Sequence, residues 1–289
     1  MPARTTKLER GQPRNPGAKA ARAIADPKRR LAKVIDLLED NLGEPFWEGK
    51  RDALEVLVLT ILSQNTADPN ALKAYLTLVD TFPATQARKG KKDASAIPRL
   101  ADGSVDPVAI RLSQVADAVG APDWLAVLKA PVASVKKAIK FAGLANTKGP
   151  AIQTALAWVH ERSESFDFEA ATKGMDAAQA SIELAKLKGI GLKTVGVTFL
   201  EAWGADLCPV DTHVHRLVNR LGIVQASGPD RTYHLLTPLV AKGKGFSLHH
   251  NLLTFGRTIC NAKKPQCAEC YLQKLCPWEG KAARMAETE

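Results

Sequence analysis

Residues Leu187-Lys188-Gly189-Ile190-Gly191-Leu192-Lys193-Thr194-Val195-Gly196 join two stretches of helical apolar spacing, 176–187 and 192–203. The first stretch ends at Gly189 and a new helix begins near Leu192, so the join is a tight Gly-x-Gly hairpin between helices. Glycine there permits positive φ and close approach of another backbone. The new helix start offers unpaired N–H groups, and its dipole favours an anion. A phosphate of a nucleic-acid backbone suits such a site, with Gly189, Gly191 and Lys188 as its contacts. Taken alone, a Gly-x-Gly between helices is also ordinary turn chemistry.

Eighteen residues beyond Lys193 stands Asp211, in Cys208-Pro209-Val210-Asp211-Thr212-His213-Val214-His215-Arg216, just before another periodic segment. An Asp in that place is a ready helix N-cap. Lys193 has an equally plain reading as a solvated or phosphate-pairing lysine. Residue type by itself favours these structural roles.

Outward from the hairpin the chain reads as helix after helix. Apolar residues recur at helical spacing in 51–63, 70–82, 123–129, 132–142, 150–162, 176–187, 192–203, 212–222, 231–241 and 247–259. Gly and Pro punctuate the joins, and no stretch keeps the alternation of a strand. The expectation is an all-α protein of short packed helices.

Charge is unevenly distributed. The 289 residues carry 40 Lys+Arg against 30 Asp+Glu, a formal +10. Nine bases and two acids lie in the first thirty residues, so that stretch is +7 and the remainder +3. With Pro2, Gly11, Pro13, Pro16 and Gly17 and little to bury, residues 1–27 are expected to be a disordered basic tail. A solubility tail, a non-specific DNA arm and an organellar transit peptide all fit it. Arg88-Lys89-Gly90-Lys91-Lys92 adds a basic run within a loop expected over 84–106, and 281–289 is expected to be loose. Composition, 45% hydrophobic and 24% charged, excludes collagen, a wholly disordered chain and a disulfide-dense miniprotein. The longest apolar run, around Val56 to Leu62, is far short of the ~20 residues of a membrane helix, and the opening residues lack the apolar core of a secretory signal.

Four of the five cysteines, Cys260, Cys267, Cys270 and Cys276, are spaced C-x6-C-x2-C-x5-C. Such clustering, in a chain without a secretory signal, argues for metal ligation over disulfides. Four thiolates fit a structural zinc or an iron–sulfur cluster. Zinc ribbons usually pair their cysteines as two CxxC-like knuckles, and only Cys267 and Cys270 form such a pair here. Cys208 stands alone and is expected to be a buried small hydrophobe.

Together, LKGIGLKT at 187–194, PVDTHVHRLVNRLG at 209–222 and the four-cysteine cluster resemble endonuclease III, a family of DNA glycosylase/AP lyases in the helix-hairpin-helix superfamily. Further similarity lies in Leu62-Ser63-Gln64-Asn65-Thr66-Ala67-Asp68 and Gly143-Leu144-Ala145-Asn146-Thr147-Lys148, and runs in order from about Leu31 to Trp278. The resemblance implies that Lys193 is the nucleophilic lysine and Asp211 the essential aspartate. A carboxylate stabilises the positive charge that builds on the sugar as the glycosidic bond breaks. A neutral amine attacks C1′, displaces the base and forms a Schiff base, and β-elimination then cuts the strand. A free lysine, with pKa ~10.4, is mostly protonated at neutral pH, so the site must deprotonate Lys193.

The resemblance further implies that the four cysteines hold a [4Fe–4S] cluster, with Lys263 and Lys264 facing a phosphate between the first two ligands. The target base must be flipped from the stack. Asn65 matches the residue that fills the resulting gap, usually Gln in the family, and Leu144 matches an apolar wedge. Plainer readings are a loop Asn, a core Leu and solvated lysines, and Asp68 is accounted for as a cap. Three departures bear on specificity: Lys188 replaces a usual Pro, Leu192 a frequent Arg, and the stretch between Asp68 and Leu144 is longer than in compact bacterial members.

The resulting expectation is an all-α enzyme of two helical domains flanking a DNA-binding cleft, with a helix-hairpin-helix and a four-cysteine iron–sulfur loop. A six-helix domain is expected over 46–205, and a cluster domain over 28–45 with 206–280. The reaction implied is excision of oxidised pyrimidines from damaged double-stranded DNA followed by β-elimination, by a monomer without membrane association. A location at the bacterial nucleoid in the cytoplasm is expected, or in the nucleus or mitochondrion of a eukaryote. Two alternatives stand beside it: a monofunctional glycosylase for mismatched or alkylated bases, and a non-catalytic DNA-binding or damage-sensing protein.

Overall fold

The computed structural model describes residues 26–84 and 120–281. The tail up to residue 25, the basic run at 88–92 and residues 282–289 lie outside them. Among the described residues the ordered elements are helices, with no strand. In chain order these are α1 (Pro27–Leu42), α2 (Ala53–Ser63), α3 (Asp68–Thr81), α4 (Trp124–Lys129), α5 (Val132–Ala138), α6 (Ala145–Ser163), α7 (Phe168–Ala171), α8 (Ala177–Ala185), α9 (Leu192–Trp203), α10 (Thr212–Arg220), α11 (Pro229–Leu236) and α12 (Gly245–Thr258). Short 3-10 turns follow α5 at Lys140–Ala142 and α11 at Thr237–Leu239. No described helix is long and apolar enough to cross a membrane.

The described chain forms two compact units, one of residues 26–44, 212–241 and 250–281, the other of 45–84, 120–211 and 242–249. The stretches 206–211 and 242–249 therefore group with the hairpin, where the sequence reading began the cluster domain at 206. A local reason is visible. The Asp206 carboxylate accepts from the backbone N–H of Gly243 at 2.5 Å and of Gly245 at 2.7 Å, binding 206 to the start of α12.

The larger unit is built around α2. Asp52 caps it, accepting from Leu54 N–H at 3.0 Å and Glu55 N–H at 3.2 Å. Every residue from Ala53 to Leu62 is buried, polar Glu55 and Thr60 included, so neighbours cover this helix on all sides. α9 and α3 pack on it, α8 packs on α9, and α6 on α5 and α7. Phe168 stands edge-on to Phe199 and Trp203, at 5.9 and 6.0 Å between centroids.

In the smaller unit α1 buries Leu31, Val34, Ile35 and Leu38, a stripe at helical spacing. It begins with the Asp26 cap and Pro27 in the first turn. Helix α6 starts at Ala145, five residues before the expected Pro150. Gly149 there is a packing site and not a breaker: a Cβ on it would lie 3.1 Å from Lys136 Cγ.

α9 ends at Gly204 in the left-handed region, φ +62°, where a Cβ would come within 2.7 Å of the Trp47 ring. Gly204→Ala should therefore cost about 2–3 kcal/mol, from backbone strain plus displacement of Trp47. Urea denaturation measures this, and a change under about 0.5 kcal/mol would show that Trp47 yields freely.

Candidate nucleic-acid interface and catalytic site

The hairpin forms as expected, and its two glycines serve different ends. Gly189 has φ +87°, and a Cβ there would lie 2.9 Å from Ala151 Cβ on α6, so its bareness is needed inside the protein. Gly191 has an ordinary extended backbone and nothing of the protein within 4 Å of a built Cβ. Its bareness keeps the α9 N-terminus open outward. No side chain caps that terminus. Ile190 between them is buried and pins the turn, while Lys188, Gly189 and Gly191 are exposed.

Lys193 sits in the first turn of α9, half-buried, followed by buried Thr194, Val195 and Gly196. A Cβ on Gly196 would come within 3.1 Å of Pro209 Cγ. Gly196 is three residues from Lys193 and Pro209 two from Asp211, so the segments carrying the lysine and the aspartate lie side by side. His249, buried, pairs its Nδ1 with the Pro209 carbonyl at 2.9 Å and helps fix that segment. Asp211 is half-buried and immediately precedes α10. Cys208 is buried among them. Burial first, and the Asp211 charge second, push its thiol well above the ordinary range, so it is an inert filler as its isolation suggested.

Asn65 and Leu144 occupy two loops of the same unit, and both have left-handed backbones, φ +50° and +47°. Asn65 is exposed, and Leu144 is 58% exposed, which removes the plain reading of a core leucine. Gln64, beside Asn65, donates from Nε2 to Thr194 Oγ1 at 2.8 Å, linking that loop to the residue after Lys193.

In the smaller unit Cys260, Cys267, Cys270 and Cys276 line one pocket with Arg220, Phe255, Gln273, Trp278 and Lys281. Among the described residues no group of three or more His, Cys, Asp or Glu is placed to hold a metal ion. Burial first, opposed by the Leu272 backbone and helped by the other three cysteines, raises the Cys270 thiol to about 12, so all four are within electrostatic reach. Burial likewise raises Cys276. Cations stand ready to oppose this. Arg220 Nη1 lies 3.3 Å from Cys260 Sγ, and Lys281 donates to the Gln273 and Cys276 carbonyls at 3.0 and 2.9 Å. Lys281, the first residue of the stretch expected to be loose, is buried, so the chain is anchored to that point. The Tyr271 hydroxyl, next to Cys270, is buried without a hydrogen-bond partner in the protein. Four thiols and two cations around one pocket fit an anionic sulfur-rich group.

Between the first two cysteines the Asn261 side chain accepts from Lys264 N–H at 2.7 Å, and Arg220 donates to the carbonyls of Asn261 and Ala262, both at 3.0 Å. This turn displays Lys263 and Lys264 on the surface.

Two helices, α8 and α9, joined by a Gly-x-Gly turn that leaves the second helix start uncapped make a helix-hairpin-helix. The chain belongs to the HhH-GPD superfamily of base excision DNA repair proteins, whose profile matches residues 58–242. Endonuclease III of Thermotoga maritima is 37% identical over 94 residues, covering 32% of this chain and 44% of that enzyme. Endonuclease III of Bacillus subtilis is 36% identical over 155 residues, covering 53% of this chain and 65% of that enzyme. Both matches thus span less than two thirds of the relative's length. A solved structure of endonuclease III in a non-covalent complex with DNA superposes with a TM-score of 0.62 at 21% identity, covering 90% of this chain and 98% of that one. That likeness establishes the fold.

The two hairpin glycines should respond differently to a methyl group. Gly189→Ala should destabilise the protein by about 1–3 kcal/mol. Gly191→Ala should stay within about 0.5 kcal/mol of wild type yet weaken duplex binding severalfold. Thermal melts and fluorescence anisotropy measure both. Wild-type affinity in Gly191→Ala would show that no DNA backbone approaches that face.

Proposed function

We propose that this protein is a bifunctional DNA glycosylase/AP lyase, acting on oxidised pyrimidines in double-stranded DNA and cutting the resulting abasic site by β-elimination. The observation that carries the reading is the close packing of Gly196 on Pro209, which sets the Lys193 segment against the Asp211 segment beside an open helix N-terminus.

The steps follow from residue chemistry. The hairpin N–H groups hold a backbone phosphate and bring the flipped nucleotide to the lysine. The Asp211 carboxylate stabilises positive charge on the deoxyribose as the N-glycosidic bond lengthens. The neutral amine of Lys193 bonds to C1′ as the base leaves with the bonding pair, and ring opening gives a Schiff base. Its iminium acidifies the 2′ proton. Loss of that proton expels the 3′ phosphate, and water then hydrolyses the Schiff base to free Lys193. A lysine at this position makes the strand-cutting steps possible; a glycosylase that used only water would stop at the abasic site.

Cys260, Cys267, Cys270 and Cys276 would hold a [4Fe–4S] cluster. The spacing, in which only Cys267 and Cys270 form a CxxC pair, supports such a group over a zinc ribbon, which usually pairs its cysteines as two knuckles. Such a cluster supplies structural cross-linking of the C-terminal loop. Arg220 then orders the turn that presents Lys263 and Lys264, a second phosphate contact separate from Lys188.

Lys193→Ala should abolish strand cleavage and covalent trapping by borohydride, while Asp211→Asn should lower base excision by about 10²–10³-fold with lesion binding retained. Strand-nicking assays without heat or alkali check both. Trapping in Lys193→Ala, or wild-type excision in Asp211→Asn, would overturn the assignments. The purified protein should be brown, absorb near ~400 nm and contain about four irons per chain; a colourless, zinc-loaded preparation would contradict the cluster.

A further inference from the structure

Lys148 has no part in the chemistry above, yet it is 1% exposed in the first turn of α6. Its Nζ donates to the Leu62 carbonyl at 2.8 Å, to Thr66 Oγ1 at 2.9 Å and to the Ala142 carbonyl at 2.7 Å. Three donors of an ammonium meet three oxygens. Burial lowers its pKa to about 8, and the three acceptors match the protonated form present at neutral pH. Burying an ammonium is costly, and an apolar side chain would fill the same space more cheaply. A lysine here serves geometry better than stability.

The geometry concerns two loops. Leu62 and Thr66 bracket Asn65, and Ala142 lies two residues before Leu144. Thr66 Oγ1 also bonds the Ala142 carbonyl, and at 3.1 Å the carbonyl of Gln64. Asn65 and Leu144, each held in a left-handed conformation, therefore sit on two loops joined by one hydrogen-bonded hub centred on Lys148. For leucine that conformation costs about 1–2 kcal/mol and persists only when its surroundings impose it. The hub continues through Gln64 to Thr194, the neighbour of Lys193.

We propose that Lys148 is a positioning residue that locks the Asn65 and Leu144 loops at the separation needed to fill the space left by a flipped nucleotide. It thereby governs base extrusion and not bond cleavage. This rests on the reading of Asn65 and Leu144 as gap-filling residues. With the hub intact, the two loops enter the duplex as one rigid fork. With it broken, each loop relaxes toward an ordinary backbone and the strain that aims Leu144 outward is released.

The test compares two substrates in the full-length protein. One is a duplex with a paired thymine glycol, which must be extruded against stacking and pairing; the other carries a preformed abasic site, where extrusion is cheap. Lys148→Met and Thr66→Ala are assayed, with Leu144→Ala as the control for gap filling. Single-turnover excision of thymine glycol should fall about tenfold or more in Lys148→Met and about threefold or more in Thr66→Ala, while cleavage of the abasic site stays within about twofold. The fluorescence rise of 2-aminopurine opposite the lesion, which reports unstacking, should fall in step with excision. Equal losses on both substrates, or no loss in either variant, would overturn the proposal. Should Lys148→Met fail to fold, Thr66→Ala decides the matter by the same criterion. If Leu144→Ala excises at the wild-type rate, the gap-filling reading falls and the proposal with it. If Leu144→Ala is impaired while the two hub variants are not, the positioning role alone falls.

Discussion

Helix α9 lies where it does because residue 196 has no side chain. Pro209 Cγ lies 3.1 Å from where a Cβ on that residue would stand, tighter than an ordinary contact, so the 208–211 segment runs directly against the first turns of α9. The other constraints gather around this contact. Asp206 ties the segment to the start of α12, and His249 holds the Pro209 carbonyl. Gln64 reaches Thr194 from the end of the fully buried α2. A larger residue at 196 would move Asp211 relative to Lys193. Catalysis tolerates little of that, since about 1 Å of misplacement costs on the order of 100-fold.

Charge plays a smaller part than the total suggests. The first thirty residues hold +7 of the formal +10, and Arg88, Lys89, Lys91 and Lys92 another four, leaving the remainder at −1. Affinity for a polyanion in that remainder has to come from local devices: an uncapped helix start, exposed Lys188, and the turn that displays Lys263 and Lys264. Under the proposed function the basic segments would set non-specific affinity and its steep dependence on salt.

Much of this was legible in the sequence, and for identifiable reasons. Helix α9 was expected over the residues it occupies because its apolar face and its bounding glycines agree. Helix α1 was not drawn from periodicity, because its charged first turn, Lys28-Arg29-Arg30, reads as a continuation of the basic tail. Its signal was the Asp26-Pro27 start followed by Leu31, Val34, Ile35 and Leu38. The start of α6 was misread because Gly149 and Pro150 look like punctuation, when Gly149 serves close packing against Lys136. In the candidate site, spacing pointed to the cysteines, while the family resemblance, and not residue type, pointed to Lys193 and Asp211. They did not separate the inward need for a bare Gly189 from the outward openness of Gly191. Nor did they pick out Lys148, because a lysine in a polar stretch looks solvated until its three acceptors, drawn from positions 62, 66 and 142, are brought together by folding. Lys281 escaped for the same reason: its partners are carbonyls, which carry no side-chain signature.

The central claim is that one particular amine, presented at the start of α9, bonds to the deoxyribose. The most direct measurement is peptide mapping by tandem mass spectrometry of the borohydride-reduced complex formed with a thymine glycol duplex. The account predicts a single sugar adduct on the Nζ of Lys193. An adduct on another lysine or on the N-terminal amine would contradict it, as would turnover of the lesion with no adduct at all.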